Sequence, residues 1–164
     1  MQYTWNDIEQ HIADCTHCSL SRTRNRPVMG RGSHQADIML IAEAPGGQED
    51  LQGIPFVGNS GEILDRLLRD CGLSREEIYI TNIIKCHPPG NRDPKEEEKE
   101  ACFSYLKYET FLLKPRIIVC LGCVAAQRKR ILIKSWKNII IYKKELCFHS
   151  SFLLYRKVLH SENF

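Results

Sequence analysis

Hydrophobic and polar positions change period several times along the chain, and each change marks an element. Trp5, Ile8 and Ile12 share one side of the run from Trp5 to Ala13, which predicts a first helix. Asn6 is its expected N-cap, with Glu9 three residues on in the capping-box position. Ile38 to Ala42 is a short, unbroken apolar run and reads as a buried strand. A polar loop follows, punctuated by Pro45, Gly46, Gly47, Gly53, Pro55, Gly58 and Gly61. Glu62 to Asp70 then carries Ile63, Leu64, Leu67 and Leu68 at helical spacing, ending at Gly72. Ser74 to Glu77 has the pattern of a capping box on a short turn, and the β-branched run Ile78 to Ile84 predicts a second strand. Lys95 to Leu113 reads as a long helix capped by Asp93 with Pro94 at its first position. Pro115 to Gly122 is a third strand, Val124 to Gln127 opens another helix, and Glu145 to Phe148 is a candidate fourth strand.

Strand, glycine-rich loop and helix in that order place a site at the carboxyl end of a strand in an α/β protein. One domain over residues 1–164 is expected from the length. No stretch of about 18 apolar residues occurs, so no membrane span is expected. The acidic, amphipathic N-terminus is unlike a signal peptide. A cytoplasmic location follows as the expectation, and there thiols stay reduced.

Composition changes this picture at one end. From Pro115 to Phe164 there are ten Lys and Arg against two Asp and Glu, a balance of +8, whereas the first 114 residues balance at −5. A basic third suits a polyanion as well as it suits a solvated surface. All ten glycines and all seven prolines precede Arg128, and the last 37 residues contain no Gly, Pro, Ala or Asp. Folded α/β chains need turn residues between elements. Residues 128–164 therefore read as either a divergent ending or an out-of-frame stretch.

Candidate chemistry is concentrated in a few residues. Eight cysteines in a reducing compartment point to metal or reactivity more than to disulfides. Cys15 and Cys18 have the spacing to grip one metal or one cluster edge, although a redox pair has the same spacing. His17 between them reads as a spacer. Cys86 and Cys102 flank a proline-rich loop, while Cys71 and Cys120 fall among apolar neighbours where a thiol acts as a small hydrophobe. Phe56 stands in a polar loop as either a packing plug or a stacking platform. Asn82, near the end of the second strand, suits a core only if its amide is fully bonded; aimed into a pocket, that amide could read another amide, such as a base edge. Arg22, Arg24, Arg26 and Arg31 sit in an irregular basic segment ahead of the first strand, able to meet phosphates or simply to solvate.

Five of these features occur in order: Cys15-x-x-Cys18, Ala42–Gly46 (AEAPG) followed by Glu49 and Asp50, Gly53–Gly58 (GIPFVG), Thr81–Cys86 (TNIIKC), and Cys102. Together they closely resemble the family 4 uracil-DNA glycosylases, the iron–sulfur branch of that superfamily, over about Cys15 to Gln127. The resemblance implies a three-layer α/β/α sandwich around a short, mainly parallel four-stranded sheet. It implies a structural [4Fe–4S] cluster on Cys15, Cys18, Cys86 and Cys102, although the same four thiolates would also suit zinc. It implies a monomer that acts on uracil-containing DNA without membrane attachment, initiating base excision repair. Phe56 would stack on the flipped base and Asn82 would read its Watson–Crick edge. Backbone N–H groups of the 43–47 loop, Ala44 and Gly46 among them, would hold the base's O2. Glu43, with Glu49 and Asp50 as further carboxylates, would position water or stabilise the sugar cation. The family's late His-Pro-Ser turn is matched by His149, followed here by Ser150 in place of proline. That departure, with Ala42 where many members carry glycine, leaves open a glycosylase-like protein that binds nucleic acid without excising a base.

Overall fold

The computed structural model describes residues 4–122, 124 and 125, together with the backbone of 140–144. A central sheet has the order β1-β3-β2-β4-β5. Its strands are β1 (Arg31–Gly32), β2 (Ile38–Ala42), β3 (Tyr79–Asn82), β4 (Ile117–Leu121) and β5 (Ile140–Lys144). The last four run parallel, as the α/β reading requires. The two-residue β1 pairs antiparallel on the outer edge of β3, an addition that no hydrophobic pattern announced. The fourth parallel strand is β5 at 140–144; the expected strand at Glu145–Phe148 lies outside the described residues.

Alternation along β2 sets the layers. Met39 and Ile41 face a core shared with Ile8 and Ile12 of α1 (Trp5–Ala13) and with Phe103 and Leu106 of α4 (Glu96–Leu113). Ile38 and Leu40 face the opposite core with Leu64 and Leu68 of α3 (Asn59–Asp70). The sheet is thus covered on both faces, which explains why its strands read as continuous apolar runs.

Helix starts depart from expectation. Thr4, not Asn6, caps α1: its hydroxyl accepts from Asp7 N at 3.3 Å while the Asp7 carboxylate accepts from Thr4 N at 2.8 Å. The reciprocal box satisfies two orphan donors and so outweighs the nominal Asn6–Glu9 spacing. α4 begins at Glu96 after Lys95, whose N–H is taken by the Glu98 carboxylate at 2.8 Å, instead of at an Asp93 cap. α3 starts at Asn59, one turn before the first apolar residue of the predicted helix. Inside the glycine-rich loop there is also a short helix, α2 (Gly47–Gln52), ended by Gly53 at φ 72°.

The turn between α2 and α3 is tightly constrained. Phe56 has φ 56°, a left-handed conformation uncommon for an aromatic residue. Gly61 lies against it: a Cβ there would stand 2.0 Å from Phe56 O. Gly61→Ala should therefore destabilise the fold by about 1–3 kcal/mol through overpacking, read as a lowered thermal midpoint with the far-ultraviolet spectrum retained.

Candidate active site and thiol centre

β2 and β3 pair in register with Ala42 opposite Asn82, so both strands end side by side. Beyond the ladder, Ile83 N donates to Ala42 O at 2.8 Å and Ile84 N to Glu43 O at 3.3 Å. The loop bearing Glu43 and the loop bearing Cys86 consequently leave the sheet together, at the carboxyl ends of its central strands. This is the crevice where open α/β sheets place ligands.

A cavity of about 200 Å³ opens there, lined by Ala44, Gly46, Glu49, Phe56, Ser60 and Asn82. The five residues predicted to touch substrate are all in its wall; Ser60, at the start of α3, gave no sequence signal. Asn82 is 3% exposed, and no described protein group bonds its carboxamide. Among the described residues no buried side-chain polar atom is left sealed without a partner, so that amide reaches the cavity.

The wall is braced by groups whose job is structural. Glu49 Oε1 accepts from Val57 N and Gly58 N, at 3.0 Å each, and so holds the turn that carries Phe56. Arg75 clamps the same turn: Nη2 donates to Phe56 O at 2.6 Å and Nη1 to Pro55 O at 3.3 Å, while Nε pairs with Asp65 at 2.5 Å. Nothing in the local pattern around Arg75 identified it. Asp50, read as a further carboxylate for the chemistry, is instead buried and occupied by Asn25, accepting from its backbone N at 3.0 and 3.1 Å and from its amide.

Glu43 faces an adjoining cavity of about 210 Å³ with Pro88, Asn91, Arg92 and Asp93; the two cavities share Ala44 and Gly46. Partial burial, and then the nearby Asp93 carboxylate, push the Glu43 carboxyl above the ordinary range, with Lys99 opposing. Carboxylates tuned upward in a cleft are candidates for chemistry. His149 lies outside the described residues.

On the far side of the Lys85–Pro94 loop, Cys15, Cys18, Cys86 and Cys102 line one narrow cavity. Arg24 Nη1 donates to Cys86 Sγ at 3.0 Å, and Lys85 N donates to Cys102 Sγ at 3.2 Å. Arg24 Nη2 also donates to Ala13 O and Cys15 O. Burial pushes the Cys86 thiol up, with the Arg24 guanidinium opposing, and pushes Cys102 up to about 12, with the Lys85 ammonium opposing. Four reduced thiols with two N–H donors aimed at their sulfurs form an all-sulfur donor set, suited to iron–sulfur or zinc chemistry. No three His, Cys, Asp or Glu side chains among the described residues converge as a site for a single ion.

Fold and site together define an α/β protein with a partly polar cavity of about 200 Å³ at its central strand ends and a thiol centre behind one wall. The model of the uracil DNA glycosylase superfamily matches residues 29–164, and the chain belongs to that family. It is 48% identical over 122 residues to a type-4 uracil-DNA glycosylase of Archaeoglobus fulgidus, covering 74% of this chain and 61% of the relative. It is 47% identical over 116 residues to one of Saccharolobus solfataricus, covering 70% and 54%. It is 41% identical over 118 residues to one of Thermotoga maritima, covering 72% and 62%. The chain thus spans between half and two thirds of the length of these curated relatives.

One carboxylate ties the two centres. Glu98 accepts from Arg92 at 2.6 and 2.9 Å, from Lys95 N at 2.8 Å and from Ser19 Oγ at 3.4 Å. Arg92 foremost, then the Lys95 amide, hold its carboxyl below the ordinary range against the opposing effect of burial. A depressed native pKa contributes stability that is fully present above the unfolded value of about 4.3 and is lost as pH falls through the native one. Thermal melts from pH 7 down to about pH 3 should show the wild type losing stability across that window. Glu98→Gln should melt lower at pH 7 and show a shallower acid decline.

Proposed function

We propose that this chain removes uracil from DNA by hydrolysing its N-glycosidic bond, the first step of base excision repair. The observation that carries the reading is the buried Asn82 carboxamide, which no group among the described residues bonds and which opens to the cavity that Phe56 also lines. A base inside a duplex cannot reach such a cavity, so the nucleotide is flipped out of the stack. Phe56 then supplies a stacking face. The Asn82 amide N–H donates to uracil O4 and its oxygen accepts from N3–H. Cytosine presents the opposite pattern, a donor at position 4 and an acceptor at N3, which the amide meets only when turned over about its Cβ–Cγ bond, so discrimination rests on the orientation in which the site holds it.

In the reaction, the bond between N1 and C1′ breaks and its electron pair leaves with the base. Water adds to C1′, giving the abasic sugar, and its proton balances the charge on the departing uracil. Glu43 positions that water or offsets the developing sugar cation, and N–H groups of the 43–47 loop stabilise charge on O2. His149 is proposed as the late donor to O2. Its neighbour Ser150, where the family motif has proline, favours a second reading in which the chain binds uracil-containing DNA without excising the base.

Cys15, Cys18, Cys86 and Cys102 would hold a [4Fe–4S] cluster, and the all-sulfur donor set supports it. Such a cluster supplies a structural tie between the N-terminal segment and the loop after β3. The same proposal includes a monomer at work in the cytoplasm. No described helix is long and apolar enough to cross a membrane.

A uracil-containing oligonucleotide treated with the protein and then with alkali should be cut at the uracil. Asn82→Ala should slow excision by about 100-fold or more, and Glu43→Gln by about 10²–10⁴-fold. The wild-type rate should rise with pH through a limb displaced above the ordinary glutamate range, and Glu43→Gln should flatten that limb. No cutting at excess protein, with uracil-dependent binding retained, would select the second reading. The holoprotein should be brown with broad visible absorption, and Cys86→Ser should lose both colour and iron; stoichiometric zinc in a colourless protein would refute the cluster.

A further inference from the structure

The mechanism above leaves one buried ionic group unused. Lys85 and Glu109 form an ion pair at 2.7 Å, each side chain 1% exposed, between the segment just after β3 and the C-terminal third of α4. Glu109 also accepts from the Thr81 hydroxyl at 3.0 and 3.2 Å and from the Tyr79 hydroxyl at 3.3 Å. Lys85 Nζ donates further to Thr81 Oγ1 at 2.6 Å and to Asn82 O at 3.0 Å. A buried ion pair is a poor route to stability, since desolvation offsets most of the attraction and an apolar pair of similar volume would serve as well. Its position matters more.

The peptide joining Asn82 to Ile83 is held at both ends. Its N–H donates to Ala42 O on β2 at 2.8 Å. In a trans peptide the carbonyl points the opposite way, toward the outer edge of β3. There β1 covers only Tyr79 and Ile80. Among the described residues no strand reaches Asn82 O, and the Lys85 ammonium takes the acceptor that the sheet leaves open. The plane of that peptide fixes the backbone from which the Asn82 side chain projects. Lys85 also donates its backbone N–H to Cys102 Sγ at 3.2 Å, so one lysine touches both the base-reading strand end and the thiol centre.

We propose that Lys85, anchored by Glu109, is a positioning residue that aims the Asn82 carboxamide into the cavity and so sets discrimination of uracil from cytosine. The proposal rests on Asn82 as the uracil reader. It predicts that the ion pair can be replaced without loss of the fold but not without loss of discrimination.

The test uses the full holoprotein and reads binding, not turnover. The probes are oligonucleotides carrying one 2′-fluoro-2′-deoxyuridine, which resists glycosidic cleavage, or the matching 2′-fluoro cytidine. Lys85→Met combined with Glu109→Gln removes both charges and leaves the Tyr79 and Thr81 hydroxyls an acceptor. The thermal midpoint and cluster absorbance should stay near wild type, while the preference for uracil over cytosine falls at least tenfold. A folded double variant that keeps its preference within twofold overturns the proposal. Thr81→Val, nearly isosteric, takes away one of the three acceptors of Lys85 and should lower the preference three- to fivefold even if the double variant does not fold; an unchanged preference overturns the proposal here too. Asn82→Ala separates the two levels. If it keeps the wild-type preference, the reading of the site fails; if it loses the preference while the Lys85 variants keep theirs, only the positioning role fails.

Discussion

Everything at the site depends on the parallel pairing of β2 with β3, in register with Ala42 opposite Asn82. Two strands that end together must release two loops together. Hydrogen bonds from Ile83 and Ile84 to Ala42 and Glu43 extend that pairing past the last ladder residue. A slip of one residue would turn Asn82 to the other face of the sheet and exchange it with an apolar neighbour. The burial of both sheet faces prevents the slip, because Met39 and Ile41 belong to one core and Ile38 and Leu40 to the other. Hydrophobic layering, which carries no chemistry itself, therefore fixes the relative placement of Glu43 and Asn82.

A second constraint is electrostatic. Glu49, Asp50, Glu98 and Glu109 are almost fully buried, and each is surrounded by donors. An unpaired buried carboxylate would cost several kcal/mol or take up a proton. Here each one satisfies backbone N–H groups or cations in segments with no regular secondary structure to bond them. Long loops that build a pocket have many such orphan groups. Such buried carboxylates are thus a consequence of loop architecture, and Glu43, whose carboxyl burial raises and which no hydrogen bond ties down among the described residues, stands apart from them.

The sequence made the strands legible because buried parallel strands are unbroken apolar runs, and β2 fell where it was expected at Ile38–Ala42. The residues that line the cavity and the thiol centre were legible for a different reason: several short motifs in fixed order identify a family better than any one of them does. What escaped detection was short or long-range. α2 is six residues long and lies among glycines that signal a loop. The α1 cap went to Thr4 because a reciprocal bond with Asp7 depends on three-dimensional geometry that residue type alone does not rank. Arg75 and Lys85 look like ordinary surface cations in sequence. Their roles arise from acceptors 10 to 24 residues away, Asp65 and Glu109, which no local period reveals.

The two walls of the cavity system are supported separately and joined at one dipeptide. One wall, the α2–α3 turn with Phe56, is held by Glu49 and Arg75 and needs no thiol. The other, the Pro88–Asp93 loop facing Glu43, lies between Cys86 and Cys102 and is tethered through Arg92 and Glu98. Arg24 bonds Cys86 Sγ, and its neighbour Asn25 bonds Asp50 of α2. A metal group bound by thiolates adds its binding free energy to the conformation that presents them. Were such a group bound here, that energy would act first on the loop beside Glu43 and would pass to the Phe56 turn through Arg24 and Asn25. The four cysteines line neither of the two larger cavities, yet the bonds around them bear on both loops, the one that faces Glu43 and the one that carries Phe56.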